Sequence, residues 1–182
     1  MPQPTTVELQ KTAHELRIDV LEMLEEAKSG HPASALGLAE ILATLYFFKL
    51  DIDPKNPRDK KTDKFIFSNG HACPILYATL AKKGFFPKGE LKNLRKIGAL
   101  LQGHPDRKIP GVETSSGSLG QGLSIAIGEA LASKMSKLYN RIYVLTSDGE
   151  LNEGQTWEAA MLATKYNLDN LTQIPHFYFD VI

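Results

Sequence analysis

The chain has 182 residues, 42% of them hydrophobic and 23% charged, with 21 basic and 21 acidic side chains. That balance suits one soluble globular domain and leaves room for a second only if it is small. A formal net charge of zero gives no electrostatic footprint for nucleic acid or an anionic membrane, although backbone N–H groups and histidines can still bind phosphate locally. The single cysteine, Cys73, excludes an internal disulfide and permits a reducing compartment. The opening Met-Pro-Gln-Pro-Thr-Thr has no basic start followed by an apolar run. The longest apolar stretch, around residues 41–48, is too short to cross a bilayer. The expected location is cytoplasmic.

Residues 7–28 carry Leu9, Ala13, Leu16, Val20, Leu21 and Leu24 at helical spacing, and Ser29-Gly30-His31-Pro32 is the expected stop. Leu38, Ile41, Leu42 and Leu45 share one face of a second expected helix, 34–49, and residues 53–59 read as a loop. Lys64 to Ser68 is a short buried strand, after which Asn69-Gly70-His71 turns into a helix carrying Leu76, Leu80 and Ala81. A short helix over 88–97 is followed by an irregular segment, 98–113. Gly117 to Gly122 opens a small-residue helix running to about Leu138. Arg141 to Thr146 is the clearest strand, Ser147-Asp148-Gly149 a sharp turn, and 154–166 a helix, with the next strand beginning at Leu171-Thr172. Strands alternating with helices predict an α/β fold, a mostly parallel sheet with helices on both faces.

Ligands of such sheets bind beyond the carboxyl ends of the strands. Ser68 to His71 and Ser147 to Gly149 fall there, and the Gly117 to Gly122 turn opens a helix. Asp148 could hold a hard cation while Gly149 lets a phosphate approach the backbone. An Asp-Gly pair also reads as a plain turn in which Asp148 caps the following helix. His31, His71 and His104 each follow a glycine in a predicted loop or turn, three of the five histidines. Neutral imidazole can donate to a phosphate or a sugar hydroxyl and carry a proton near neutral pH. Zinc is the competing chemistry, but the wide spacing and lack of paired cysteines argue against it. Gly117, Gly120 and Gly122 are in the wrong order for a dinucleotide fingerprint, and close helix packing is the simpler account of them. Glu153 and Glu158 flank the start of the last helix, where the helix dipole alone explains negative charge.

Taken together, Ser-Gly-His-Pro (29–32), Ser-Asn-Gly-His (68–71), Gly-His-Pro-Asp (103–106), Gly-Ser-Leu-Gly-Gln-Gly (117–122) and Ser-Asp-Gly-Glu-Leu-Asn-Glu-Gly (147–154) resemble the transketolases in order and spacing. The likeness runs from about Leu9 to Thr172 and is closest to forms encoded as separate N- and C-terminal subunits. It implies the thiamine-diphosphate-binding fold over 1–182 as a single, diphosphate-side domain, incomplete at its C-terminus. It implies thiamine diphosphate and Mg2+ or another divalent cation as cofactors. His31 and His104 resemble the histidines facing the sugar substrate, and His71 the one at the diphosphate end. Gly117 and Leu119 resemble the segment against the aminopyrimidine, Asp148 the metal ligand and Gly149 the glycine beside the diphosphate. Glu153 and Glu158 resemble the family's carboxylates near the subunit interface.

The implied reaction moves a two-carbon ketol unit between sugar phosphates. The glutamate that pairs with the aminopyrimidine belongs, in this family, to a second domain. The resemblance therefore implies a C-terminal subunit or domain as partner in a homo- or hetero-oligomer, and a chain inactive alone. A non-catalytic fragment is the other reading. Among relatives such as 1-deoxyxylulose-5-phosphate synthase and dihydroxyacetone synthase, Gly-His-Pro-Asp favours transketolase over the first. Ser118 stands where many full-length transketolases have proline, and Ser147 where glycine is usual. After Thr172 the family presents an asparagine as second metal ligand. None follows Asn170 here, Pro175 makes a poor central strand, and Asp180 is the only nearby carboxylate.

Overall fold

The computed structural model describes residues 3–177. Helix α1 (Thr6–Ala27) starts on a capping box. The Glu8 N–H donates to Thr5 Oγ1, and the Thr5 N–H donates to the Glu8 carboxylate. Its apolar stripe buries Ala13, Leu16, Val20 and Met23, and Lys28 in the left-handed region ends it, just before the expected Ser29-Gly30 stop.

The single helix expected over 34–49 is instead three pieces: α2 (Pro32–Leu36), α3 (Ala39–Thr44) and a π-helical turn, Leu45–Lys49. Arg17 accounts for the first break. Its Nε donates to the Leu36 carbonyl at 3.2 Å, the oxygen a continuous helix would pair with the Glu40 N–H, and its two terminal nitrogens hold the Glu40 carboxylate at 2.6 Å. The π turn then shifts register by one residue, closing with Leu50 N–H to Leu45 C=O at 2.8 Å.

Strands β1 (Lys64–Phe67), β2 (Ile142–Ser147) and β3 (Leu171–His176) form a parallel sheet in that order. Phe65 pairs with Tyr143, and Val144 with Gln173. Alternation divides the core. Phe65, Phe67, Tyr143 and Leu145 face one cluster with α1, α3 and α4 (Cys73–Lys83), while Ile66, Ile142 and Val144 face the other with α5 (Gln121–Met135) and α6 (Gly154–Lys165). The α/β expectation, helices on both faces of a parallel sheet, therefore holds. The helix expected over 88–97 is a 3-10 helix, Lys88–Asn93.

β3 runs through Pro175 at the edge of the described sheet, a place that agrees with the expectation that Pro175 makes a poor central strand. Ile142 N–H donates to the Asn170 carbonyl and Asp148 N–H to that of His176, so the even-numbered residues of β3 face β2. The Pro175 nitrogen points to the free edge of the described sheet, where a missing donor costs nothing. The position near Tyr178 expected for an asparagine, and Asp180, lie outside the described residues. Among the described residues no helix is long and apolar enough to cross a membrane.

The close-packing account of the glycine turn holds at Gly122. A Cβ there would lie 2.2 Å from Ser68 Oγ and 3.0 Å from Ser68 Cα, so α5 can approach the end of β1 only through glycine. Gly122→Ala should destabilise the fold by about 1–3 kcal/mol, as overpacking does. Chemical denaturation measures this; an unchanged midpoint would contradict the close approach.

Candidate active site

All three motifs singled out in the sequence meet beyond the carboxyl ends of β1 and β2, and the residue that joins them is Glu150. It is fully buried, in a 3-10 turn, Gly149–Asn152. Its Oε1 accepts from the Ser68 hydroxyl just after β1 and from the Gly120 N–H at 2.9 Å. Its Oε2 accepts from the Ser147 N–H at 2.9 Å and the Ser147 hydroxyl at 3.4 Å. Ser68 Oγ in turn accepts from the Gly122 N–H at 3.0 Å. From the other side Gln155 donates to the Leu119 carbonyl at 3.1 Å. The glycine turn is therefore gripped at Leu119, Gly120 and Gly122. Gly120 takes φ +79, and a Cβ there would meet Gln155 and Glu153 at 2.8 Å.

Asp148 sits at the tip of β2, half-buried. Its backbone N–H donates to the His176 carbonyl, and its Oδ1 accepts from the Gly149 N–H at 2.9 Å. The capping reading of this residue is thus correct, and one carboxylate oxygen pairs with the next residue's backbone. A Cβ on Gly149 would meet nothing closer than Ser147 Oγ at 3.8 Å and Leu119 Cδ1 at 4.0 Å, so this stretch of backbone is open to a ligand.

His31 and His71 stack edge-on with ring centroids 5.4 Å apart. His104 packs on the turn, since a Cβ on Gly117 would lie 3.0 Å from its ring. Bonds from α4 hold the irregular segment carrying His104: Tyr77 donates to the Gln102 carbonyl at 2.9 Å, and Cys73 Sγ to those of Gly103 at 3.2 Å and Gln102 at 3.7 Å. Burial pushes the Cys73 thiol up to about 12, which leaves it a structural donor rather than a nucleophile. His71 is held below its ordinary value, first by burial and then by the neighbouring His31 and His104, with Glu150 opposing. The site therefore favours neutral imidazole at His71, able to donate one N–H and accept at the other nitrogen.

Of the sequence-derived residues, His31, His71, His104, Gly117, Leu119, Asp148 and Gly149 border this strand-end region, with His31 and His104 exposed. Glu153, half-buried, begins α6 beside Gly120, whereas Glu158 is exposed further along α6. Trp157, Met161 and Leu162 are also exposed on α6, as is Tyr166 just after it. Sequence reasoning passed over Glu150 and Asn69. Asn69 is fully buried, and neither its side-chain oxygen nor its nitrogen has a hydrogen-bond partner among the described residues. Such a group costs free energy until something polar meets it. Among the described residues no three His, Cys, Asp or Glu side chains converge as a metal cage. The half-buried Asp148 carboxylate, an open glycine backbone, neutral imidazole and an orphaned amide fit a hard cation already carrying phosphate oxygens better than a bare ion.

The layers and the strand-end cradle define an α/β domain built to hold an anionic cofactor. A family model described as transketolase, thiamine diphosphate binding domain, matches residues 9–179, and the chain belongs to that family. It is 46% identical over 167 residues to the transketolase of Homo sapiens, covering 91% of this chain and 27% of that protein. It is 41% identical over 172 residues to an apulose-4-phosphate transketolase subunit from Phocaeicola vulgatus, covering 94% of this chain and 60% of that protein. The crystal structure of transketolase from Campylobacter jejuni superposes with a TM-score of 0.90 at 38% identity, over 94% of this chain and 28% of that one. The chain thus spans less than two thirds of the length of these relatives.

The depressed His71 makes stability pH-dependent. The unfolded chain binds the proton first, so this contribution is complete above the ordinary value of 6.5 and is lost as pH falls through the lower folded value. Thermal midpoints between about pH 7.5 and pH 5.5 should fall less in His71→Asn than in the parent chain. Equal falls would mean that His71 carries no such shift.

Proposed function

We propose that this chain is the diphosphate-binding part of a transketolase, moving a two-carbon ketol unit from a ketose phosphate to an aldose phosphate. The observation that carries the reading is Asp148 at the tip of β2 beside the open backbone of Gly149, with His71 held neutral nearby. Thiamine diphosphate, when bound, supplies the carbanion chemistry. This chain's residues bind, orient and move protons. Asp148 holds Mg2+ or another divalent cation through a hard oxygen. The Gly149 backbone and His71 meet the diphosphate end, and Gly117 and Leu119 lie against the aminopyrimidine. His31 and His104, exposed at the mouth, face the sugar phosphate and exchange protons with its hydroxyls.

A pyrimidine-binding domain completes the site from a partner. Three relatives, each named as one subunit of a transketolase, support a separate C-terminal subunit. The exposed Trp157 and Met161 on α6 suit an interface there, with Glu153 and Glu158 at its edge linking the sites of an oligomer. On this reading the chain alone is inactive, works in the pentose phosphate pathway, and is cytoplasmic.

A ketol-transfer assay with and without a matching C-terminal subunit tests the proposal. Activity should require the subunit, thiamine diphosphate and the divalent cation; turnover by the chain alone would overturn it. In the active complex Asp148→Ala should weaken metal-dependent cofactor binding by more than about tenfold, roughly 1.4 kcal/mol. His104→Ala should spare cofactor affinity and lower turnover. Equal loss of cofactor binding in both would show that the division between cofactor and substrate residues is wrong.

A further inference from the structure

We propose that Glu150 is a positioning residue whose buried carboxylate locks the glycine turn against the ends of β1 and β2, so that the cradle is built before any cofactor arrives. Its carboxylate oxygens accept from the Ser68 and Ser147 hydroxyls and from the Gly120 and Ser147 N–H groups. The Gly120 and Ser147 N–H groups both point at it, and the Ser68 hydroxyl, which accepts from the Gly122 N–H, donates to it. The environment thus suits an acceptor with two oxygens. Glutamine has the same size and only one. Whichever way its amide turns, the NH2 faces either Gly120 N–H or Ser147 N–H, and a buried backbone donor is left without an acceptor.

The consequence reaches residues that Glu150 does not touch. Gly120 adjoins Leu119, and Ser147 adjoins Asp148. Freeing either N–H loosens one wall of the cradle. Glu150 acts through those neighbours and has no need to meet substrate or cofactor. The fold layers do not depend on it in the same way, because the two apolar clusters lie along the strands rather than at their tips. Thr156 Oγ1 still donates to the Glu150 backbone carbonyl at 2.7 Å whatever the side chain is, which keeps the start of α6 in place.

The test compares the full chain with Glu150→Gln in two readouts, only the second of which rests on the thiamine diphosphate reading. Without ligand, amide hydrogen exchange at Gly120, Gly122 and Ser147 should quicken by about tenfold while amides of α1 and α4 keep their rates. Exchange unchanged at all three overturns the proposal. So does uniform quickening that includes α1 and α4, because it means general support of the fold. Titration of Mg2+ and thiamine diphosphate, with the partner subunit where binding needs it, should show affinity reduced by about tenfold. Local quickening with parent-like affinity overturns the link to the cradle. If the parent itself binds no cofactor while the local quickening is seen, the lock stands and the cofactor reading fails. Should Glu150→Gln not fold, Ser68→Ala removes the hydroxyl between Gly122 and Glu150; it should quicken Gly122 locally, and a silent result overturns the proposal.

Discussion

A buried carboxylate that only accepts hydrogen bonds cannot be left half-satisfied, and that constraint at Glu150 organises the end of the sheet where the chemistry would lie. Removing such an ion from water costs several kcal/mol, and hydrogen bonds from donors fixed by the fold are what offset it. The donors come from the turn after β1, the turn before α5 and the last residue of β2. These segments are far apart in sequence, so satisfying one side chain brings them together. The glycines follow from the same demand. Gly122 lets α5 come close enough for Ser68 to serve as relay, and Gly120 bends the turn so that its N–H points inward.

The sheet supplies the frame. Parallel strands with alternating faces bury one apolar set under α1, α3 and α4 and another under α5 and α6, and the polar groups of the site gather at the strand tips. Asp148 is then fixed from both sides, by the Ser147 to Glu150 bond on one and by its own N–H to the His176 carbonyl on the other. The histidines arrive from outside this frame. His31 follows α1, His71 lies in the turn before α4, and His104 rides on a segment tied to α4 by Tyr77 and Cys73.

What could be read from the sequence divides along physical lines. β1 and β2 were legible because runs such as Phe65-Ile66-Phe67 and Ile142 to Leu145 are apolar at every position, as strands buried on both faces must be. The break between α2 and α3 was not, since helical periodicity continues across it and the cause, Arg17 taking the Leu36 carbonyl, is a tertiary contact. Pro175 argued only against a central strand, because the ladder penalty applies to a strand paired on both sides, and β3 is paired on one among the described residues. Asp148 and the three histidines stood out through their glycine neighbours. Glu150 did not, because a glutamate after Asp-Gly looks like any acid at a helix start. Its only signal was a serine at each strand end, Ser68 and Ser147, waiting for a common acceptor. Asn69 was hidden for a similar reason, since burial of a polar side chain is not visible in a linear motif.

The central claim is that these strand-end segments form one preformed cradle for a metal-borne diphosphate. Backbone amide shifts followed by nuclear magnetic resonance during titration of the full chain with Mg2+ and thiamine diphosphate test it most directly. The account predicts saturable, metal-dependent shifts concentrated at His71, Gly117 to Gly120 and Asp148 to Gly149, with α1 unmoved. Saturable shifts centred elsewhere on the surface, or none that depend on the metal, would contradict it.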